Sequence, residues 1–140
     1  MHTLTERNKE VVRRFNTEVI EKCDEQSLDE LMDENFVNHS APEGTDNGPS
    51  GMMNTFKNIL HPGLPDLKVV IDDQIAEGDL VTTRKQIKGT HTGVLMGIQP
   101  TGRTIAIDVI DIVKIKDGKY LEHWGVNTLP LVLAQLKAID

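Results

Sequence analysis

The chain has 140 residues, a formal net charge of −7 and a hydrophobic share of 38%. That length fits a single domain, residues 1–140, burying roughly two-thirds of its unfolded surface around one core. Its 15 basic residues are scattered, which excludes the clustered Lys and Arg that a nucleic-acid or anionic-membrane surface requires.

Residues 4–23 carry Leu4, Val11, Val12, Phe15, Val19, Ile20 and Cys23, a three-and-four spacing that predicts one amphipathic helix. Thr3 with Glu6 fits a capping box at its start, and Ser27 with Glu30 repeats that signature before a short helix through Leu28, Leu31 and Met32. Phe36 to His39 reads as a brief extended piece, broken at Ala41-Pro42-Glu43-Gly44. Pro49 suits the first turn of a third helix presenting Met52, Met53, Phe56, Ile59 and Leu60, which stops at His61-Pro62-Gly63. The period then changes to two. Leu67, Val69, Ile71 and Ile75 alternate with polar residues up to a turn at Glu77-Gly78-Asp79. Further strands are predicted over 80–91, 103–115 and 119–127, and Pro130 opens a last short helix. Helices first and hairpin-linked strands after them make an α+β pattern with an antiparallel sheet.

The low aromatic share of 4% predicts a core and a pocket lining built mostly from Val, Ile and Leu. Cys23 has no partner for an internal disulfide. Residues 1–10 are too polar for a secretory segment, and no apolar run approaches the ~20 residues of a membrane span. A soluble, cytoplasmic chain is the expectation. A curled sheet with helices on one face leaves a pocket between the layers, and its outer face calls for a cover, for which a second copy of the chain is the simplest candidate. A homodimer is therefore expected.

The turn Lys116-Asp117-Gly118-Lys119 carries the sharpest local inference. Read as a three-residue loop closed by a left-handed glycine, it sets Ile115 against Lys119 and Asp111 directly against His123. Positions 105, 107, 109, 113 and 115 are all apolar, so Asp111 is the lone polar residue on an inward face. A carboxylate and an imidazole so placed can act as a general acid/base pair, or can merely pin the hairpin as a buried ion pair. A two-residue turn would send the two side chains to opposite faces.

Other polar positions frame this pair. His91 ends a strand among the glycines of Gly89 to Gly102, at the expected pocket rim, where it can orient a substrate oxygen or cap the loop. Asn38 and His39 precede the Pro42 break and are expected at the pocket mouth. Trp124 and Glu122 fall on the face opposite His123. Of the consecutive Arg84 and Lys85, one points inward, and the sequence leaves open which. No histidine pair has metal-binding spacing and Cys23 stands alone, so no metal site is expected. No Gly-rich loop opens a helix after a strand, so no nucleotide cofactor is expected.

The stretch Phe-Val-Asn-His-Ser-Ala-Pro (36–42), the Gly-Thr-His-Thr-Gly to Pro-Thr-Gly segment (89–102), the Asp-Gly-Lys turn and Glu122-His123-Trp124 together resemble the SnoaL-like polyketide cyclases. These are also called predicted ester cyclases, of the nuclear-transport-factor-2-like (cystatin-like) superfamily. The resemblance spans nearly the whole chain. It implies a cone-shaped α+β barrel, a deep apolar pocket, a homodimer, and cofactor-free aldol ring closure of polyketide esters. It also implies an acid/base aspartate at the position of Gly125, an assisting histidine at that of Asp111, and a pocket-mouth asparagine at Asn38. Glycine at 125 removes that acid and is expected to widen the pocket.

Two functions from different classes follow. One is a lyase- or isomerase-type enzyme acting on a small apolar carbonyl compound, with His123 as base and Asp111 orienting it or returning the proton. His91 or Asn38 would steady the oxyanion, and Gly125 and His39 would line the ligand site. The other is a non-catalytic binder of an apolar metabolite, in which the pair is structural.

Overall fold

The computed structural model describes residues 2–138. Helix α1 (Leu4–Arg14) begins at a complete capping box, with Thr3 Oγ1 and the Glu6 side chain bonded reciprocally to backbone amides, and runs on as a π-helical segment, Phe15–Glu21. Helix α2 (Glu25–Leu31) is capped by Asp24, whose carboxylate accepts from the amides of Gln26 and Ser27. The expected Ser27–Glu30 box does not form, because the Ser27 hydroxyl donates to Glu18 at 2.8 Å instead. Helix α3 (Pro49–Asn54) has proline in its first turn as expected, then continues through a π-helical segment, Thr55–Leu60, into a final turn, α4 (His61–Gly63).

Five strands follow the order β1-β5-β4-β3-β2. They are β1 (Met32–Asn38), β2 (Lys68–Glu77), β3 (Leu80–Thr90), β4 (Thr104–Lys116) and β5 (Lys119–Asn127), and α5 (Leu129–Lys137) closes the chain. Four of them form the expected antiparallel run, while β1 adds to β5 in parallel. Strand β2 is irregular between Ile71 and Asp73. That extra residue reverses the alternation, so Ile75, expected on the inner face with Val69, points outward and is 70% exposed.

The inner face of the sheet packs on α1 to α3 in one contiguous apolar cluster. Aromatics are few, yet Phe15, Phe36, Phe56 and Tyr120 are all buried in it. Phe15 stacks on Tyr120 with centroids 4.1 Å apart and lies edge-on to Phe56 at 6.5 Å. Aliphatic filling is thus only part of the core. Flat rings fill the hollow of the curl with large area per side chain.

Candidate active site

The β4–β5 connection is a two-residue turn. Asp117 and Gly118 both have positive φ, at 51° and 75°, as a type I′ turn requires, and Lys116 pairs with Lys119. Continued regularly, that register would send Asp111 and His123 to opposite faces. It does not continue. Ile115 pairs with Tyr120 but Lys114 pairs with Glu122, so Leu121 is an extra, bulged residue. The bulge restores the inward direction of His123. His123 then lies opposite Val113, and Asp111 lies opposite Gly125. The expected direct pairing of 111 with 123 becomes a diagonal one.

Across that diagonal, His123 Nε2 stands 3.4 Å from Asp111 Oδ2. Gly125 makes the approach possible. A Cβ at 125 would lie 3.0 Å from His123 Cε1, 3.2 Å from its Nε2 and 3.3 Å from Asp111 Cβ. The imidazole therefore takes the space that a side chain at 125 would occupy, and the glycine seats the ring instead of widening a pocket. Ser40 pins this backbone, accepting from Gly125 N–H at 2.7 Å and donating to its carbonyl at 3.0 Å.

The other ring nitrogen is anchored by the crossing of β1 over β5. Asn38 is the register partner of His123, and His123 Nδ1 donates to Asn38 Oδ1 at 2.8 Å. The same oxygen accepts from Ser40 N–H at 3.0 Å, which fixes the orientation of the amide. Nδ1 thus carries a proton, and Nε2 is turned toward the Asp111 carboxylate.

The sheet's alternation decides between Arg84 and Lys85. Arg84 points outward and pairs with Asp73. Lys85 points inward, with its Nζ 3.3 Å from Asp111 Oδ2 and 2.6 Å from Asn16 Oδ1. The three ionisable side chains are 4% (Lys85), 7% (Asp111) and 16% (His123) exposed, so the cluster meets solvent mainly through the imidazole. Burial pushes the Asp111 carboxyl up, but the Lys85 ammonium and the His123 contact outweigh it and hold the carboxyl below its ordinary value. Tyr120, fully buried near this carboxylate, has its phenol pushed well above the usual range, first by burial and then by the charge on Asp111. Asp111 Oδ1 and the hydroxyl of its register partner Thr83 are buried without hydrogen-bond partners.

The sequence left Lys85 and Arg84 as alternatives for the inward position and did not point to Asn16, although Lys85 and Asn16 each carried a signal. Lys85 shares the parity of Val81, Thr83 and Ile87 on β3, and Asn16 sits four residues after Val12 and four before Ile20 in the apolar stripe. The remaining candidates lie elsewhere. His39 is on the outer face, stacked on Trp124 with centroids 4.8 Å apart and bonded to Glu122 at 2.9 Å. His91 is buried, with Nδ1 2.9 Å from Thr101 Oγ1 and Nε2 3.3 Å from the Ile98 carbonyl. It pins the 92–103 loop rather than lining a pocket rim. From Thr83, which faces Asp111, it is eight residues along β3, ~26 Å at about 3.3 Å per residue. Two surface hollows, about 510 and 130 Å³, lie beside that loop and α5. Neither is lined by Asp111 or His123, so they are not the deep pocket expected around the pair.

A curled five-stranded sheet wrapped on N-terminal helices, with a polar cluster on its inner face, defines a fold of the nuclear-transport-factor-2-like class. Residues 10–136 match the family described as SnoaL-like polyketide cyclase, and the chain belongs to that family. Among solved structures it is similar to IdmH of Streptomyces antibioticus, a candidate polyketide cyclase. The two share 28% identity over 93% of this chain and 98% of that one, with a TM-score of 0.80. A candidate polyketide cyclase from Bacillus cereus is 26% identical over 99% and 87% of the two chains, with a TM-score of 0.82. TsrD of Streptomyces laurentii, at 24% identity over 99% and 100%, shares the fold with a TM-score of 0.83. No match was found among curated proteins.

Proposed function

We propose that this family member catalyses cofactor-free proton transfer beside a carbonyl, leading to aldol cyclisation or a related isomerisation of a small apolar substrate. The observation that carries the reading is the single buried carboxylate on an apolar face, with one oxygen engaged and the other bare. Lys85 and His123 both approach Asp111 Oδ2, while Oδ1 has no partner. Asp111 accepts the substrate proton on the side of the carboxylate that His123 faces. His123, between two oxygen acceptors, is the proton donor and not the base expected from sequence alone. Asn38 fixes the ring, and the substrate approaches from the imidazole side, where the cluster is most exposed. Gly125 stands where the resemblance implies the family's acid, and the opposing Asp111 takes over that role.

Solvent deuterium exchange into the α-carbon of a panel of ketoesters, followed by NMR, tests this. Asp111→Asn and His123→Ala should each slow exchange by about 10²–10⁴-fold. Equal rates for wild type and both variants would leave a non-catalytic binding protein with a structural ion pair.

A second copy of the chain covers the outer face of the sheet in this reading. Ile112 pairs with Trp124 and Ile110 with Val126, and all four are exposed apolar side chains in one patch.

A further inference from the structure

We infer that Lys85 is a positioning residue for the Asp111–His123 pair: braced by Asn16, its ammonium anchors Oδ2 of the buried carboxylate and so holds the carboxylate against the imidazole. The inference rests on the acid/base reading above and adds a residue that reading does not require. Three observations converge on it.

The first is the bracing. Asn16 Nδ2 donates to the Val12 carbonyl at 2.8 Å, which leaves its Oδ1 as the end that must face the lysine. Lys85 Nζ donates to that oxygen at 2.6 Å. A helix backbone carbonyl, an amide, an ammonium and a carboxylate thus form one continuous chain from α1 into the sheet.

The second is the lopsided use of the carboxylate. An ion pair built only for stability satisfies both oxygens, since a bare buried acceptor is costly. Here Lys85 and His123 converge on Oδ2 and Oδ1 stays bare.

The third is the local charge. The groups facing Asp111 are Lys85 and Thr83 from β3 and His123 and Tyr120 from β5. The helical side contributes the neutral Asn16, through Lys85. Lys85 is the only cation among them whose charge does not depend on the catalytic proton. When Asp111 has returned its proton and His123 is neutral, Lys85 remains to balance the buried carboxylate, so the base is regenerated without an uncompensated charge.

The test reads the Asp111 carboxyl directly, by carboxyl ¹³C NMR of the whole protein with Asp111→Asn as the assignment control. In wild type, Asp111 should stay ionised to below the ordinary carboxylate range. Lys85→Met should raise its titration by more than one pH unit and lower exchange at least tenfold in kcat, with a smaller change in KM. Lys85→Arg should restore the low titration. Should Lys85→Met not fold, Asn16→Ala reads the same quantity with the amine in place, and an upward shift there supports the role. A folded Lys85→Met whose Asp111 titrates as in wild type overturns the inference while leaving the proposed reaction standing. Absent exchange in wild type, with the titrations as expected, sinks the catalytic reading and the positioning role with it, and the ion pair is then structural.

Discussion

Gly125 has no side chain, and the imidazole of His123 lies where one would stand. A Cβ there would come within 3.0 Å of Cε1, closer than nearly all real Cβ contacts. The backbone cannot retreat easily, because Ser40 holds both the N–H and the carbonyl of the glycine. Gly125→Ala should therefore swing the ring away from Asp111. We expect deuterium exchange to fall at least tenfold and stability to drop by ~1–3 kcal/mol, the usual penalty for overpacking. A shifted His123 Cε1–H resonance would report the displacement, and an unmoved resonance would show that the ring does not depend on the glycine. Asp111 adds a pH signature. Its carboxyl is held below the ordinary value in the folded chain, so the stability it contributes is present above the unfolded-state value and is lost as pH falls through the lower folded one. Urea midpoints of wild type should fall more steeply than those of Asp111→Asn between about pH 5 and pH 2, and parallel curves would contradict this. At this scale the sequence showed which residues matter but not how they divide the work. Asp111 stood out because its face was otherwise apolar. Lys85 was legible by parity alone, yet a lysine next to an arginine reads as surface until the strand's facing is known.

At the scale of elements, the β4–β5 hairpin shows how two local irregularities combine. The two-residue turn alone would separate Asp111 from His123, and the bulge at Leu121 brings them back to one face. Predicting a three-residue loop gave the right faces with the wrong pairs. The bulge was not readable, because nothing in Tyr120-Leu121-Glu122 distinguishes a bulged residue from a paired one. It forms because Tyr120 must reach the core to stack on Phe15 while Glu122 stays outside near Lys114. Gly118, at φ 75°, is the residue the turn most requires, and Gly118→Ala should cost about 1–2 kcal/mol, the penalty of a left-handed conformation for a residue with a Cβ. A urea midpoint unchanged from wild type would mean that the turn relaxes without strain. The helix starts show the same competition. Ser27 and Glu30 have the spacing of a capping box, but Asp24 caps one turn earlier and frees the Ser27 hydroxyl for Glu18.

Across the whole molecule, the balance between the two faces of the sheet matters most. The inner face is filled by helices and by four buried aromatic rings. The outer face carries Ile110, Ile112, Trp124 and Val126 uncovered, with Arg84, Lys114 and Glu122 around them. An apolar centre within a charged rim is the anatomy of a protein interface. In the proposed dimer, sedimentation at micromolar concentration should give the mass of two chains, and Ile112→Lys should give the mass of one. A wild-type chain sedimenting alone would remove the dimer from the proposal.

The amino-acid sequence by itself determined the α+β class, the order of the elements, the family likeness and the inward position of Asp111. Each rests on local periodicity or on a short motif. Only the tertiary structure decided that Asp111 faces Gly125, that His123 folds over that glycine, that Lys85 and Asn16 complete the cluster, and that His39 and His91 stand apart from it. Those facts depend on register, on one bulged residue and on contacts between segments up to 85 positions apart. Neighbour-to-neighbour patterning does not encode such contacts. They arise when packing chooses among arrangements that are locally equivalent.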